Sequence, residues 1–239
     1  MFESVMGLTP EQVQWLDKCT KGTWTLNPQT GLVDVRGDFD CSGQGLTDFK
    51  GVKFREVDKD FNCNNNQLTT LEGAPQTVGG DFSCRSNLLT TLVGAPQTVK
   101  GDFRCSHNQL TTLEGAPQTV GGDFICREND LTSLVGAPKT VGRSFNCGDN
   151  QLTALEGAPQ TVGGSFSCYR NPVSEKTLKK IFTEMQKKTS YLAAVESLWS
   201  EIPQEDQVLL YADDFKWVTP EQGRGLVALR SYHDLRGML

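Results

Sequence analysis

The chain has 239 residues, enough for one large domain or two small ones with a buried core. With 37% hydrophobic and 22% charged residues it is neither a disordered polymer nor a membrane protein, and no run of 18 apolar residues is present. The formal charge of -6 argues against a nucleic-acid partner, because phosphate binding needs clustered Lys and Arg; a protein surface is the expected partner.

The start, Met1-Phe2-Glu3-Ser4, lacks the basic and apolar regions of an export signal, so the cytoplasm is the expected compartment. Thr9-Pro10-Glu11 has the form of a helix start, and Val13, Trp15 and Leu16 continue it to about Cys19. Residues 23–26, 27–31 and 32–35 then read as strand, turn and strand. Residues 1–36 are therefore expected to form an N-terminal helix-hairpin cap.

Residues 37–171 carry one repeated phrase. Cysteines fall at Cys41, Cys63, Cys84, Cys105, Cys126, Cys147 and Cys168, with a first step of 22 and then steps of 21. No two are close enough in sequence for a zinc pair, and an odd set cannot pair completely, so they read as small buried hydrophobes. Two residues before each stands Phe39, Phe61, Phe82, Phe103, Phe124, Phe145 or Phe166. Three residues after each is an amide: Gln44, then Asn66, Asn87, Asn108, Asn129, Asn150 and Asn171. Leu68 and Leu71, with their counterparts, follow, and then a Gly-Ala-Pro breaker.

Phe and Cys two apart point to one side of a strand, inward. The period predicts a solenoid of seven coils, each with a short parallel strand, a bend and an extended or 3₁₀ return. The amide column is expected to bridge the backbones of neighbouring coils at the bend.

A second column, Asp38, Asp60, Asp81, Asp102 and Asp123, places carboxylates ~4.8 Å apart, close enough to raise pKa values or recruit a cation. Single oxygens coordinate calcium poorly, and Ser144 and Ser165 interrupt the column, so the expectation is carboxylates accepting from backbone amides or neighbouring hydroxyls. No metal or other cofactor is expected, and no catalytic motif is found.

The phrase Phe-x-Cys-x-x-Asn-x-Leu-x-x-Leu resembles the second half of the leucine-rich repeat signature, with Phe and Cys at usual leucine positions. That resemblance implies a curved parallel sheet whose concave face binds another protein, and it implies no catalysis. The unit ending Gly-Ala-Pro-Gln-Thr-Val-Gly-Gly also resembles repeats of proteins encoded by tailed bacteriophages and prophages. It implies a host or defence protein as the partner, sequestered or inhibited in the host-cell cytoplasm.

Residues 172–239 leave the period. Leu178, Ile181, Phe182 and Met185 recur at helical spacing, and further apolar stretches include Val208, Leu209, Leu210 and Tyr211. A C-terminal helical domain or cap is expected there.

Positions that repeat unchanged serve the scaffold, and those that differ are free for recognition. The outward positions flanking Cys differ most. They give a partner-binding surface of Arg85, Arg104, His107, Ile125 and Arg127, with Tyr169 and Arg170 as a second group. Arg104 and Arg127 are expected to act on one partner, outside the core, and Ser106 to face solvent. The predicted function is non-enzymatic protein binding; the alternative is a virion component or self-association scaffold. The sequence leaves the oligomeric state open.

Overall fold

Residues 7–172 are described by a computed structural model. Thr9 accepts from the Gln12 amide and Gln12 returns the bond to the Thr9 amide, a capping box that opens helix α1, Pro10–Cys19. Strand β1, Thr20–Leu26, then pairs antiparallel with β2, Leu32–Asp40. The helix turns Trp15, Leu16 and Cys19 inward, and Trp15 meets Phe39 and Phe54 edge-on at 5.3 and 6.4 Å.

From β2 to residue 172 the chain is a parallel β-solenoid of about six turns. Each coil carries two short strands. One is the expected Phe strand, running in register from Phe39 through Phe61, Phe82, Phe103, Phe124 and Phe145 to Phe166. The other lies on the return, at Thr77–Val78, Thr98–Val99, Thr119–Val120, Thr140–Val141 and Thr161–Val162, preceded by β3, Lys53–Val57. The return is therefore extended, and no 3₁₀ turn occurs among the described residues.

Strand β2 links the two runs of one continuous 14-stranded sheet: Val35 pairs with Val57 at the head of the return run and Phe39 with Phe61 at the head of the Phe run. β2 runs across residue 36, so the hairpin's second strand is also the first rung. Seven rungs, counted from β2, enclose about six complete turns rather than seven. The initial step of 22 also has a local cause. Phe54 faces Val33 and Glu56 faces Asp34, so Arg55 is the extra residue of a β-bulge.

The core is a set of stacked columns. The Phe rings from Phe39 to Phe145 are completely buried, and successive centroids along the column lie 5.1 to 5.6 Å apart. The Val, Cys and two Leu columns pack beside them. No disulfide forms among the described residues. Burial pushes the thiols of Cys63, Cys84, Cys105, Cys126 and Cys147 well up, and that of Cys168 up to about 12, so they stay protonated near neutrality.

The expected amide ladder is present at every bend. Asn87 Nδ2 donates to Cys63 O and Cys84 O at 3.0 and 3.1 Å, and its Oδ1 accepts from Leu68 N at 3.0 Å. Gln44 has no earlier coil to bridge, and its longer side chain reaches the helix, accepting from Trp15 Nε1 and donating to Cys19 Sγ. At the Gly-Ala-Pro corner, Ala74 N donates to Leu71 O and Gly73 sits at φ 91°, a β-turn whose third residue must accept positive φ. Residues 1–6 and the expected helical domain at 172–239, beyond Pro172, lie outside the described residues. No described helix is long and apolar enough to cross a membrane.

Truncating Phe103, enclosed between Phe82 and Phe124, to Ala should cost ~3 to 5 kcal/mol. Asn108→Ala leaves Leu89 N without its acceptor and takes one of two amide donors from each of Cys84 O and Cys105 O, which keep Asn87 and Asn129, and should cost about 1 to 3 kcal/mol. Gln109→Ala, exposed beside it, should cost under ~0.5 kcal/mol. Urea denaturation of the three variants checks the order.

Candidate functional site

The Asp column is built as a second ladder, on the outward side. Each carboxylate accepts from the amide one coil on: Asp81 N, Asp102 N, Asp123 N and Ser144 N donate at 2.7 to 2.8 Å to Asp60, Asp81, Asp102 and Asp123 Oδ1. Glycine precedes several of these Asp residues for want of space. A Cβ on Gly101 or Gly122 would lie 2.3 or 2.0 Å from the Asp oxygen of the coil before. The column thus fastens coils together. Among the described residues, no group of three or more His, Cys, Asp or Glu is placed to hold a metal.

This ladder corrects the reading of Arg104. Its guanidinium donates to Asp81 Oδ2 at 2.7 Å and to Asp102 Oδ2, with the side chain only 32% exposed. Arg104 is therefore a scaffold residue as much as a surface one. Charge reversal there would set three carboxylates together, so the expectation of a stability-neutral change at Arg104 does not hold. Ser106 is likewise 1% exposed, not outward, and its hydroxyl donates to Ile125 O.

The remaining predicted residues are joined more closely than the sequence suggests. His107 Nδ1 lies 2.7 Å from Glu128 Oε2, and Arg127 Nη1 lies 3.5 Å from Glu128 Oε1. Arg127 also hydrogen-bonds the Tyr169 side chain, two coils away in the same column. Gly148 makes this possible: a Cβ there would lie 2.2 Å from the Tyr169 ring, which lies over the glycine. Burial raises the Tyr169 phenol, with Arg127 opposing and Asp149 adding to the rise. Arg170 closes the strip on Asp149 Oδ1 at 3.3 Å. His107 and Arg127, from the first expected group, and Tyr169 and Arg170, the second, are thus linked in one strip across four coils.

Arg85 and Ile125 stand half-buried beside it, and Arg85 makes no ion pair among the described residues. Glu128 and Asp149 were not singled out by the sequence, yet they tie the strip together. At the strip's far end the buried Ser167 hydroxyl has no partner among the described residues, and Gly148 lacks the side-chain amide oxygen with which Asn64 accepts from Ser83.

A different surface was missed altogether. At the corner before Gly-Ala-Pro, Glu72, Glu114 and Glu156 alternate with Val93 and Val135, each valine 54% exposed. Leu92 N donates to Glu114 O and Leu134 N to Glu156 O, so the two-coil alternation reaches the backbone. An open cavity of about 450 Å³, lined by Glu72, Ala74, Gln76, Val93 and Gln97, lies between two of these corners. The signal was available as a 42-residue period inside the 21-residue one.

Comparison with protein-family models, curated proteins and solved structures finds no match for the chain.

The Asp81 carboxyl would be raised by burial, but the Asp102 amide and the Arg104 guanidinium outweigh that and hold it below the usual carboxylate range. A depressed folded pKa gives stability that is present above the unfolded value near ~4 and is lost as pH falls through the folded one. The melting temperature should therefore hold on the neutral side and fall below about pH 4, and Arg104→Met should flatten that fall. Circular dichroism melts across pH check it; identical pH profiles for the two proteins would remove Arg104 from the account.

Proposed function

We propose that the chain is a non-enzymatic protein-binding module, a leucine-rich-repeat-type solenoid that holds its partner on the outward strip of the Phe sheet. The observation that supports this is the strip itself. His107, Arg127, Tyr169 and Arg170 are linked through Glu128 and Asp149 on a scaffold whose inward columns repeat in every coil. Arg and Tyr are common interface anchors, and side chains already ordered lose less rotamer freedom when a partner arrives. Arg85 and Ile125 extend the surface, and Arg104 borders it as a positioning residue.

In this reading the N-terminal helix and hairpin serve as one cap, and residues 172–239 form a helical domain at the other end. The resemblance to phage-encoded repeats supplies the kind of partner, a host or defence protein that is sequestered or inhibited in the host cytoplasm. Neither nucleic acid nor membrane is the partner. A second reading, a self-association or virion scaffold, is favoured by the exposed Val93 and Val135 and the cavity beside Val93.

Two double variants separate the readings: Arg127→Glu with Tyr169→Ala on the strip, and Val93→Glu with Val135→Glu on the corner. Tagged protein is taken through host lysate with quantitative mass spectrometry, and its oligomeric state is followed by light scattering. The strip variant should lose a stoichiometric partner by ~10-fold or more while the corner variant keeps it. Retention by the strip variant overturns the site. Recovery only of the chain itself or of virion proteins, abolished in the corner variant, favours the scaffold.

A further inference from the structure

The corner before Gly-Ala-Pro carries a row of side chains that the strip does not use. Glu72, Val93, Glu114, Val135 and Glu156 hold the same place in five successive coils, and all are exposed. Each stands just before a glycine at φ of 84 to 92°, and the missing side chain lets neighbouring corners close up. A Cβ on Gly115 would lie 2.4 Å from the Leu92 carbonyl and the Val93 amide. The row is therefore a close-packed ridge, and the cavity of about 450 Å³ opens beside Glu72 and Val93.

The spacing decides what fits. Coils lie ~4.8 Å apart, so successive glutamates stand ~10 Å apart with a valine midway. An α-helix rises ~10.5 Å in seven residues, and residues three or four apart share one face. A helix along the ridge brings side chains one heptad apart over Glu72, Glu114 and Glu156, and those half a heptad on over Val93 and Val135. Over the whole row the two lengths differ by ~2 Å, within the reach of a long side chain. An extended strand does not match, since residues three apart face opposite sides.

Charge selects the occupant. Lys53 Nζ lies 3.6 Å from Glu72 Oε1, whereas Glu114 and Glu156 make no ion pair among the described residues. The formal charge of -6 draws cationic partners and repels nucleic acid and anionic membranes. A second copy fits poorly: the row reads the same in both directions, so two-fold pairing in register sets glutamate against glutamate.

We infer that the corner ridge binds one amphipathic helix of a partner protein, with Lys or Arg one heptad apart over the glutamates and apolar side chains midway over the valines. This site does not rest on the strip.

Two synthetic helical peptides of equal composition test it on the full-length protein by fluorescence anisotropy. One has lysines seven apart with leucines midway on the same face; in the other the lysines are moved to the opposite face. The first should bind ~10-fold or more tightly than the second, and weaken steeply with salt. Glu114→Gln with Glu156→Gln should cost ~10-fold in affinity and flatten the salt dependence. Val93→Ser with Val135→Ser should cost a similar factor and keep the salt dependence, and both variants should melt as the unaltered protein does. Arg127→Glu with Tyr169→Ala should leave peptide binding unchanged, which separates the ridge from the strip.

No binding, or equal affinity for the two peptides, overturns the inference. Binding that survives both ridge variants, or that the strip variant abolishes, overturns it as well. So do dimers of the unaltered chain, seen by light scattering, that the valine variant abolishes, since they assign the ridge to a second copy.

Discussion

At the bend after each Phe strand, one asparagine side chain supplies what the backbones of two coils lack. Its amide gives hydrogen to the Cys carbonyls of its own coil and the one before, and its oxygen takes the Leu amide of the earlier coil. A bend buried in a stack would otherwise leave these groups without partners, at about 1 to 3 kcal/mol each. The geometry is held at a local cost. Asn65, Ser86, His107, Glu128, Asp149 and Arg170, each directly before an Asn, all lie at φ of 50 to 57°. For a residue other than Gly that conformation costs roughly 1 to 2 kcal/mol, less than three hydrogen bonds withheld from a buried bend. The strain is therefore a property of the repeat and marks no special coil.

The same bend decides what the outward surface can do. The left-handed residue turns its side chain away from the stack, which is why His107, Glu128, Asp149 and Arg170 can meet residues of the next coil instead of the core. Residues beside the Asp ladder have less freedom, since that ladder already uses its carboxylates to fasten amides. Arg104 falls under its field and is held there, while Arg127, one column over, reaches Glu128 and Tyr169. Two arginines on neighbouring coils thus have different roles because they occupy different columns, not because their exposure differs greatly.

Periodicity made the inward columns legible. Phe, Cys, Asn and Leu repeat at fixed offsets, and each offset has one structural meaning in a parallel stack. The second strand was hidden because Thr-Val is two residues long, too short to show alternation, and it becomes a strand only when the next coil pairs with it. The double use of β2 was hidden for a similar reason: Val33 and Val35 alternate like a hairpin strand and also pair with the first return strand. Contacts across coils were the least legible. Arg104 finds Asp81 at a sequence distance of 23, and Arg127 finds Tyr169 at 42. Those pairs emerge only when columns are read against one another with the small residue between them, Gly148, taken as space rather than as a turn.

The ends of the stack are not equivalent, and this limits how copies could associate. A solenoid grows by adding a parallel rung, so head-to-tail assembly needs one free front edge and one free back edge. Here the front edge is spent on an antiparallel partner: β1 takes the bonds of β2 that a preceding coil would use. The irregular first coil reinforces the block, because the bulge at Arg55 and the Arg55 to Asp34 pair bend β2 and β3 away from the regular register. Open-ended stacking of identical copies is thereby closed off at the front whatever covers the last rung. Association between copies, where it occurs, must use the back rung twice or the sides of the solenoid, and both arrangements close at a finite size when the contact is two-fold.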